Sequence, residues 1–344
     1  MRKIKGRKLG ALSLSLLLGL SLAGCGSTGK KTESTENKEA LTKITFCLDW
    51  TPNTNHTGIY AAEALGYYEE AGLDVEIVQP PENGAATMCA SGQAQFAVEA
   101  QDTMAAALDA EEPLGITAVA ALLQHNTSGI LSRAGEGMDR PKGLEGKTYS
   151  TWEIPTELAT LKTVVEDDGG NFDRVKLIPN DITDEPAALQ AKQTDAVWIF
   201  YGWSGINAEQ SGVDFDYWNF KDINPVFDYY TPVIIANNDF LNDSPDVAKA
   251  FLDATAKGYA YAIKEPEKAA DMLIAGDNTG SLRGAEDLVY ASQKWLADQY
   301  IADASAWGVI DPERWDAFYT WLYEKKLTKK NLAGQGYTND CLSQ

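Results

Sequence analysis

The chain has little of what most enzymes and metal proteins are built from. Its two histidines, His56 and His125, are too few for a histidine-rich metal centre. Its four cysteines include no Cys-x-x-Cys pair, which excludes both a zinc site and a disulfide framework. Gly-x-Ser-x-Gly, the P-loop and His-Glu-x-x-His are all missing, so the sequence supports neither a hydrolase elbow, nor a nucleotide-phosphate cradle, nor a zinc-protease helix. Basic charge is scarce: 29 Lys+Arg stand against 50 Asp+Glu, a net charge of −21, which makes nucleic acid an unsuitable partner. The carboxylates show no spacing that selects an acid/base pair and read as a solubilising surface. No catalytic residue, no metal ligand and no cofactor is expected.

Long apolar runs are missing too, except at the N-terminus, where Arg2, Lys3, Lys5, Arg7 and Lys8 precede the apolar stretch Leu9 to Leu20. That stretch has the length of a signal-peptide core and is too short to span a bilayer stably. Leu22-Ala23-Gly24-Cys25 follows and resembles a bacterial lipobox. The resemblance implies a signal peptide over residues 1–24, cleavage before Cys25 and acylation of its thiol. An ordinary cleaved signal or a short buried helix is the alternative. Each acyl chain contributes about 0.8 kcal/mol per buried CH2, so a multiply acylated cysteine anchors firmly. The mature protein is therefore expected outside the cell membrane, tethered to its outer face by lipid. Loss of the five basic leader residues would leave it near −26, by subtraction from −21. Residues 25–40, rich in Gly, Ser, Thr, Lys and Glu, read as a flexible linker.

From Leu41 the pattern alternates strand and helix. Ile44 to Leu48 reads as a buried strand, Thr57 to Leu65 as a helix ended by Gly66, and Val75 to Val78 as a strand. A small-residue helix over Ala85 to Ser91, a strand at Phe96 to Val98, a helix from Thr103 to Asp109 and a strand from Ile116 to Leu123 complete the first set. After the break Ala134 to Gly137 the alternation restarts. Strands are expected near Lys147 to Ser150, Val175 to Ile178, Ala196 to Phe200 and Phe215 to Phe220, with helices at Pro155 to Asp167 and Glu185 to Lys192. Pro232 to Ala236 adds a strand, and the remainder reads as helical. Two such α/β units imply parallel sheets covered on both faces, with ligands bound beyond the carboxyl ends of the strands. That points to the loops Asp49 to Gly58, Glu99 to Asp102 and Phe200 to Gly205. Cys47 and Cys89 fall in apolar or small-residue elements and read as buried free thiols; with Cys341 they form an odd set.

The stretch Asp49-Trp50-Thr51-Pro52-Asn53-Thr54-Asn55-His56-Thr57-Gly58, with Gly66-Tyr67-Tyr68-Glu69-Glu70-Ala71-Gly72-Leu73-Asp74-Val75, resembles the solute-binding proteins for thiamine pyrimidine precursors. That family is related to alkanesulfonate-binding proteins and fungal pyrimidine synthases. The likeness runs over about residues 43 to 275. It implies a type II periplasmic-binding-protein fold, two α/β lobes joined by a two-segment hinge. Crossovers near Ser132-Arg133 and Tyr230-Thr231 would divide the chain into a first lobe of residues 41–132 plus 232–344 and a second lobe of residues 133–231. The implied function is the substrate-binding component of an ABC importer, closing on a small heteroaromatic ligand of the hydroxymethylpyrimidine or formylaminopyrimidine type. Partners would be separate permease and ATPase subunits, and the binder itself a monomer.

Candidate ligand residues follow from the loops and the resemblance together. Trp50 would stack on a flat ring, and Asn53, Asn55 and His56 would hydrogen-bond it, although Asn53 equally suits a turn or helix cap and a lone histidine can be a satisfied core residue. Gln101 and Gln124, just beyond strands, would supply amides, the alternative being solvated loop glutamines. From the second lobe Trp152, Tyr201 and Trp203 would complete an aromatic sandwich or else pack between helices and sheet, and Glu153 would accept from an exocyclic amine or answer a helix dipole. Trp198 reads as core by strand alternation.

Phe200 to Gly205 carries no acid, where pyrimidine-binding relatives often place a glutamate. A different ring, such as a flavin-like one, or an alkanesulfonate-type solute therefore stays open as the cargo. An enzyme of the pyrimidine-synthase type is the rival class, but Val226 to Pro232 has no cysteine where those synthases carry an iron-binding motif. An adhesin or sensor built on the same body is a third class. If Trp50 stacks on the ligand, Trp50→Ala removes most affinity and leaves the melting curve native, as calorimetric titration and thermal unfolding would record.

Overall fold

A computed structural model describes residues 40–180 and 182–343. The lipobox with Cys25, the signal peptide and nearly all of the linker lie outside the described residues. Among the described residues, no helix is long and apolar enough to cross a membrane.

Two sheets of five strands organise the chain. β1 (Thr42–Cys47) forms because Ile44, Phe46 and Cys47 are apolar and fully buried, and it pairs in parallel with β2 (Leu73–Val78) and β3 (Phe96–Glu99). β4 (Ile116–Ala121) and β10 (Val233–Asn237) complete the first sheet in the order β2-β1-β3-β10-β4. The second sheet repeats this plan as β7-β6-β8-β5-β9, with β5 (Ser128–Arg133), β6 (Thr148–Thr151), β7 (Lys176–Pro179), β8 (Ala196–Phe200) and β9 (Phe215–Asn219).

Two expectations need correction here. The sheets are mixed rather than parallel, because β10 runs antiparallel to β3 and β4, and β5 runs antiparallel to β8 and β9. Each is the strand by which the chain arrives from the other sheet, so it starts at the edge where the parallel strands end and must run backward. The first crossover also lies earlier than Ser132-Arg133: β4 ends at Ala121 and β5, already in the second sheet, begins at Ser128. β5 went unread in the sequence because Ser128, Gly129 and Ser132 dilute its apolar pattern. The return runs from Asn219 to Val233.

The return segment is clamped by the helix Pro312–Glu324: Tyr229 stacks on Phe318 at 4.0 Å and 17°, and Phe227 meets Trp321 edge-on at 5.0 Å. Behind the first sheet a separate aromatic stack joins Phe96 to Phe251 at 4.1 Å and Tyr68 to Phe251 at 5.3 Å. Cys47 and Cys89 are buried and unpaired, and burial pushes their thiols up to about 11 and about 12, which leaves them protonated and inert. Cys341 is unpaired and half-buried.

The helices Thr57–Ala64 and Pro245–Lys264 cross so closely that a Cβ on Gly258 would lie 2.0 Å from the carbonyl oxygen of Gly58. Gly258→Ala should therefore lose about 1–3 kcal/mol of stability, as overpacked cores do; a denaturant melt equal to wild type would contradict that crossing.

The two crossovers are also pinned by charge. His125, on the first, places Nδ1 2.7 Å from Asp228 on the second and Nε2 2.9 Å from Asp303, while Arg314 approaches Asp228 at 3.5 Å. Chiefly through the Asp228 hydrogen bond, His125 titrates above its ordinary value of 6.5. A raised histidine stabilises the folded state fully below that ordinary value and loses its contribution as pH climbs through the raised one. His125→Gln should thus cost more stability at pH 6 than at pH 8.5, measured by urea unfolding; an equal cost at both would remove the ion pair from the hinge.

Candidate functional site

The loop after β1 consumes most of its own polar groups. Asn53 caps the short turn Thr54–His56, its Oδ1 accepting from Asn55 N at 2.9 Å, and its backbone N–H donates to His56 Nδ1 at 3.3 Å. Since Nδ1 accepts, the imidazole proton sits on Nε2, which donates to Asp49 Oδ1 at 2.8 Å. His56 is fully buried with both nitrogens engaged. The carbonyl of Asn55 accepts from Tyr259 at 2.6 Å and that of Thr54 from Tyr300 at 2.7 Å. This scaffold leaves Trp50 outward, 65% exposed. β1 and β3 are parallel neighbours, so the loops after them share an edge, and there burial, with the Asp49 charge adding to it, pushes the Glu99 carboxyl up.

Gln101 and Gln124 are structural in this geometry. Gln101 accepts from Tyr230 N at 3.0 Å and donates to Trp315 O at 2.8 Å, and Gln124 donates to Val309 O at 3.0 Å. Both are buried, tied to the return crossover and the C-terminal elements.

In the second lobe one carboxylate shapes the loop after β6. Glu157, buried, accepts from Tyr149 Oη at 2.7 Å, Thr151 Oγ1 at 2.9 Å, and the backbone N–H groups of Trp152 and Ile154 at 3.2 Å each. This holds Glu153 at φ 60° and projects Trp152, 43% exposed. The sequence reading missed Glu157, yet it carried the signal: Pro155 at the first helical position with Glu two residues later is a helix-start pattern in which the acid reaches back.

Tyr201 and Trp203 are turned to another use. Tyr201 hydrogen-bonds Glu209 and packs 5.2 Å from Trp295, Trp203 packs on the first-lobe core, and the carbonyl of Gly202 accepts from Ser292, which also meets Thr54 at 2.5 Å. Burial, with Glu209 second, pushes the Tyr201 phenol up to about 12. This segment docks the second lobe on the helix Glu286–Leu296.

A separate cavity of about 160 Å3 lies between the lobes. Asp102 and Thr103 line it from the first lobe, Trp152, Trp198 and Phe200 from the second, and Tyr229 and Thr231 from the return crossover. Of the sequence candidates it gathers Trp152. Trp198 belongs to the core as expected, 7% exposed, but it also faces the cavity, and its spacing of two from Phe200 puts both on one strand face. Burial pushes the Asp102 carboxyl up to about 6, against opposing backbone hydrogen bonds. Larger hollows of about 600 and 690 Å3 are open and draw only on first-lobe and C-terminal residues and the first crossover.

Similarity to known proteins follows the same lines. The formylaminopyrimidine-binding protein of Halalkalibacterium halodurans is 30% identical over 317 residues, covering 90% of this chain and 92% of that one. The 4-amino-5-hydroxymethyl-2-methylpyrimidine phosphate synthase THI13 of Saccharomyces cerevisiae is 27% identical over 66% of this chain and 69% of its own length. Among solved structures, the periplasmic aliphatic sulphonate binding protein SsuA of Escherichia coli superposes with a TM-score of 0.63 at 14% identity, covering 84% of this chain and 94% of that one, a likeness of fold. The NMT1/THI5-like family model matches residues 53–269, and the chain belongs to that family.

Proposed function

We propose that this protein is the extracytoplasmic binding component of an ABC importer and captures a thiamine pyrimidine precursor, of the formylaminopyrimidine or hydroxymethylpyrimidine type, between its lobes. The observation that carries the reading is the small aromatic cavity fed by both lobes and the crossover. A ligand stabilises a closed state only by contacting what closing brings together, and this cavity meets that condition. Its volume, about 160 Å3, lies below the roughly 300–1,000 Å3 of drug-sized pockets and suits a single small ring. The likeness to a formylaminopyrimidine-binding protein over 90% of the chain supports the same ring class.

Charge favours a pyrimidine over a sulfonate. No lysine or arginine lines the cavity, whereas Asp102 does, and an anion there would lack the cationic donors that anion sites use. Trp152 would form one wall and Trp50, at the neighbouring strand edge, would fold over the ring; each stack is worth about 0.5–1.5 kcal/mol beyond burial. Import requires permease and ATPase subunits as separate chains, and acylated Cys25 would keep a monomeric binder beside them. The synthase relatives make an enzyme the rival reading; turnover of pyridoxal phosphate by the purified chain would favour it.

Two measurements test the proposal. In a thermal-shift panel of aminopyrimidines, thiamine, flavins, pyridoxal phosphate and alkanesulfonates, an aminopyrimidine at 100 times Kd should stabilise the protein by about 2.7 kcal/mol. A response to a flavin or a sulfonate alone would move the cargo. Trp152→Ala should weaken aminopyrimidine binding about tenfold or more while the ligand-free melting temperature holds, because its ring is half outside the fold; unchanged affinity would take Trp152 out of the site.

A further inference from the structure

The cavity wall that follows β6 is held by a carboxylate rather than by packing. Trp152 and Ile154, which both line the cavity, are 43% and 47% exposed, so neither side chain is fixed by being buried. Between them Glu153 has φ 60°, the left-handed region that a non-glycine residue enters only at a cost. Lys192, Ala302 and Lys326 are the other non-glycine residues with positive φ among the described residues, and none of them lines this cavity. Strain of this kind persists only where the surroundings over-determine it.

Glu157 supplies that constraint. Its Oε1 accepts from Tyr149 Oη at 2.7 Å and Trp152 N at 3.2 Å, and its Oε2 accepts from Thr151 Oγ1 at 2.9 Å and Ile154 N at 3.2 Å. The same Thr151 hydroxyl accepts from Glu153 N at 2.9 Å. Three consecutive backbone N–H groups, 152 to 154, therefore converge on one buried carboxylate, two directly and one through a hydroxyl. Glu157 reaches the cavity wall itself, but these bonds fill the four lone-pair sites of its carboxylate and leave none for a ligand. A neutral amide could not take its place. It keeps one accepting oxygen, and the two hydroxyls can turn to accept from its N–H groups. A backbone N–H only donates, so either Trp152 or Ile154 would lose its partner.

We propose that Glu157 is a positioning residue of the ligand site: it sets the backbone of residues 152–154, and through it Trp152 and Ile154, in the binding arrangement before a ligand arrives. The inference rests on the reading of the cavity as the ligand site and deepens it, since a wall ordered in advance leaves the ligand less to order on binding. Without the carboxylate Glu153 relaxes toward negative φ, and the side chains on either side of it are re-aimed.

The test uses the soluble protein lacking only the leader and Cys25, with 4-amino-5-hydroxymethyl-2-methylpyrimidine as probe in calorimetric titrations of a double-mutant cycle. Glu157→Gln should weaken binding about fivefold or more on its own and less than about twofold in a Trp152→Ala background, because its effect runs through Trp152. A merely structural role would weaken binding alike in both backgrounds; that additive result, or unchanged affinity in the single variant, overturns the inference. Thr151→Val, at a residue that does not line the cavity, removes the link to Glu153 N and should cost about threefold, again only with Trp152 in place; it carries the cycle if Glu157→Gln does not fold. Hydrogen exchange on the ligand-free protein is the second readout. Glu157→Gln should speed exchange at residues 152–154 about tenfold or more and leave buried Leu161, Val164 and Val165 of the helix Pro155–Asp167 unchanged. Unaltered exchange at 152–154 overturns the inference as well. If wild type ignores pyrimidines but binds another ring, the proposed cargo fails and the cycle judges Glu157 on that ring. Silence toward every ring overturns the function and this inference together, whereas an additive cycle in a protein that binds overturns this inference alone.

Discussion

The chain passes twice between its lobes, and both passages must meet the sheets at the edge where the parallel strands end. β5 and β10 start at that edge and therefore run antiparallel to their neighbours, which turns the carboxyl ends of both parallel sets toward the same space. The placement of the cavity depends on that constraint. It puts the segments after β3 and β6 and the end of β8 around the cavity, and Tyr229 and Thr231 line it from the return segment, which the clamp of Tyr229 on Phe318 holds.

Within this frame most polar side chains of these loops are spent on holding the backbone. His56, Asn53, Gln101, Gln124 and Glu157 bond the backbone or each other's loops, and little of their capacity remains. Buried polar groups need such partners, so these residues fix the shape of the loops that carry them. What remains exposed is informative by contrast: Trp50 outward and Trp152 half-out.

Contacts between the lobes come in two kinds. The turn Tyr201–Gly205 against the helix Glu286–Leu296 is a protein-to-protein dock, with Ser292 linking Gly202 and Thr54. The cavity is a second place where the lobes face each other, lined from both sides without closing. A dock that is independent of ligand sets how far the closed form is populated beforehand, and the ligand adds only what its differential contacts supply.

The sequence alone determined the alternation of strands and helices and, through its resemblance, the two-lobed architecture, because apolar periodicity and a specific loop motif are local properties. The helix Pro155–Asp167 and the strand Ala196–Phe200 were legible to the residue, both marked by proline or by an unbroken apolar run. β5 was not, because its Gly and Ser carry little strand signal and its partners lie over 60 residues away. The roles of the site residues depended on tertiary structure throughout. Whether His56 or Gln101 faces a ligand turns on Asp49, Tyr230 and Trp315, and whether Trp198 is core or wall turns on a cavity that exists only once two lobes meet. A side chain's chemistry is written in the sequence, but which of its hydrogen bonds are already spent is decided by neighbours distant along the chain.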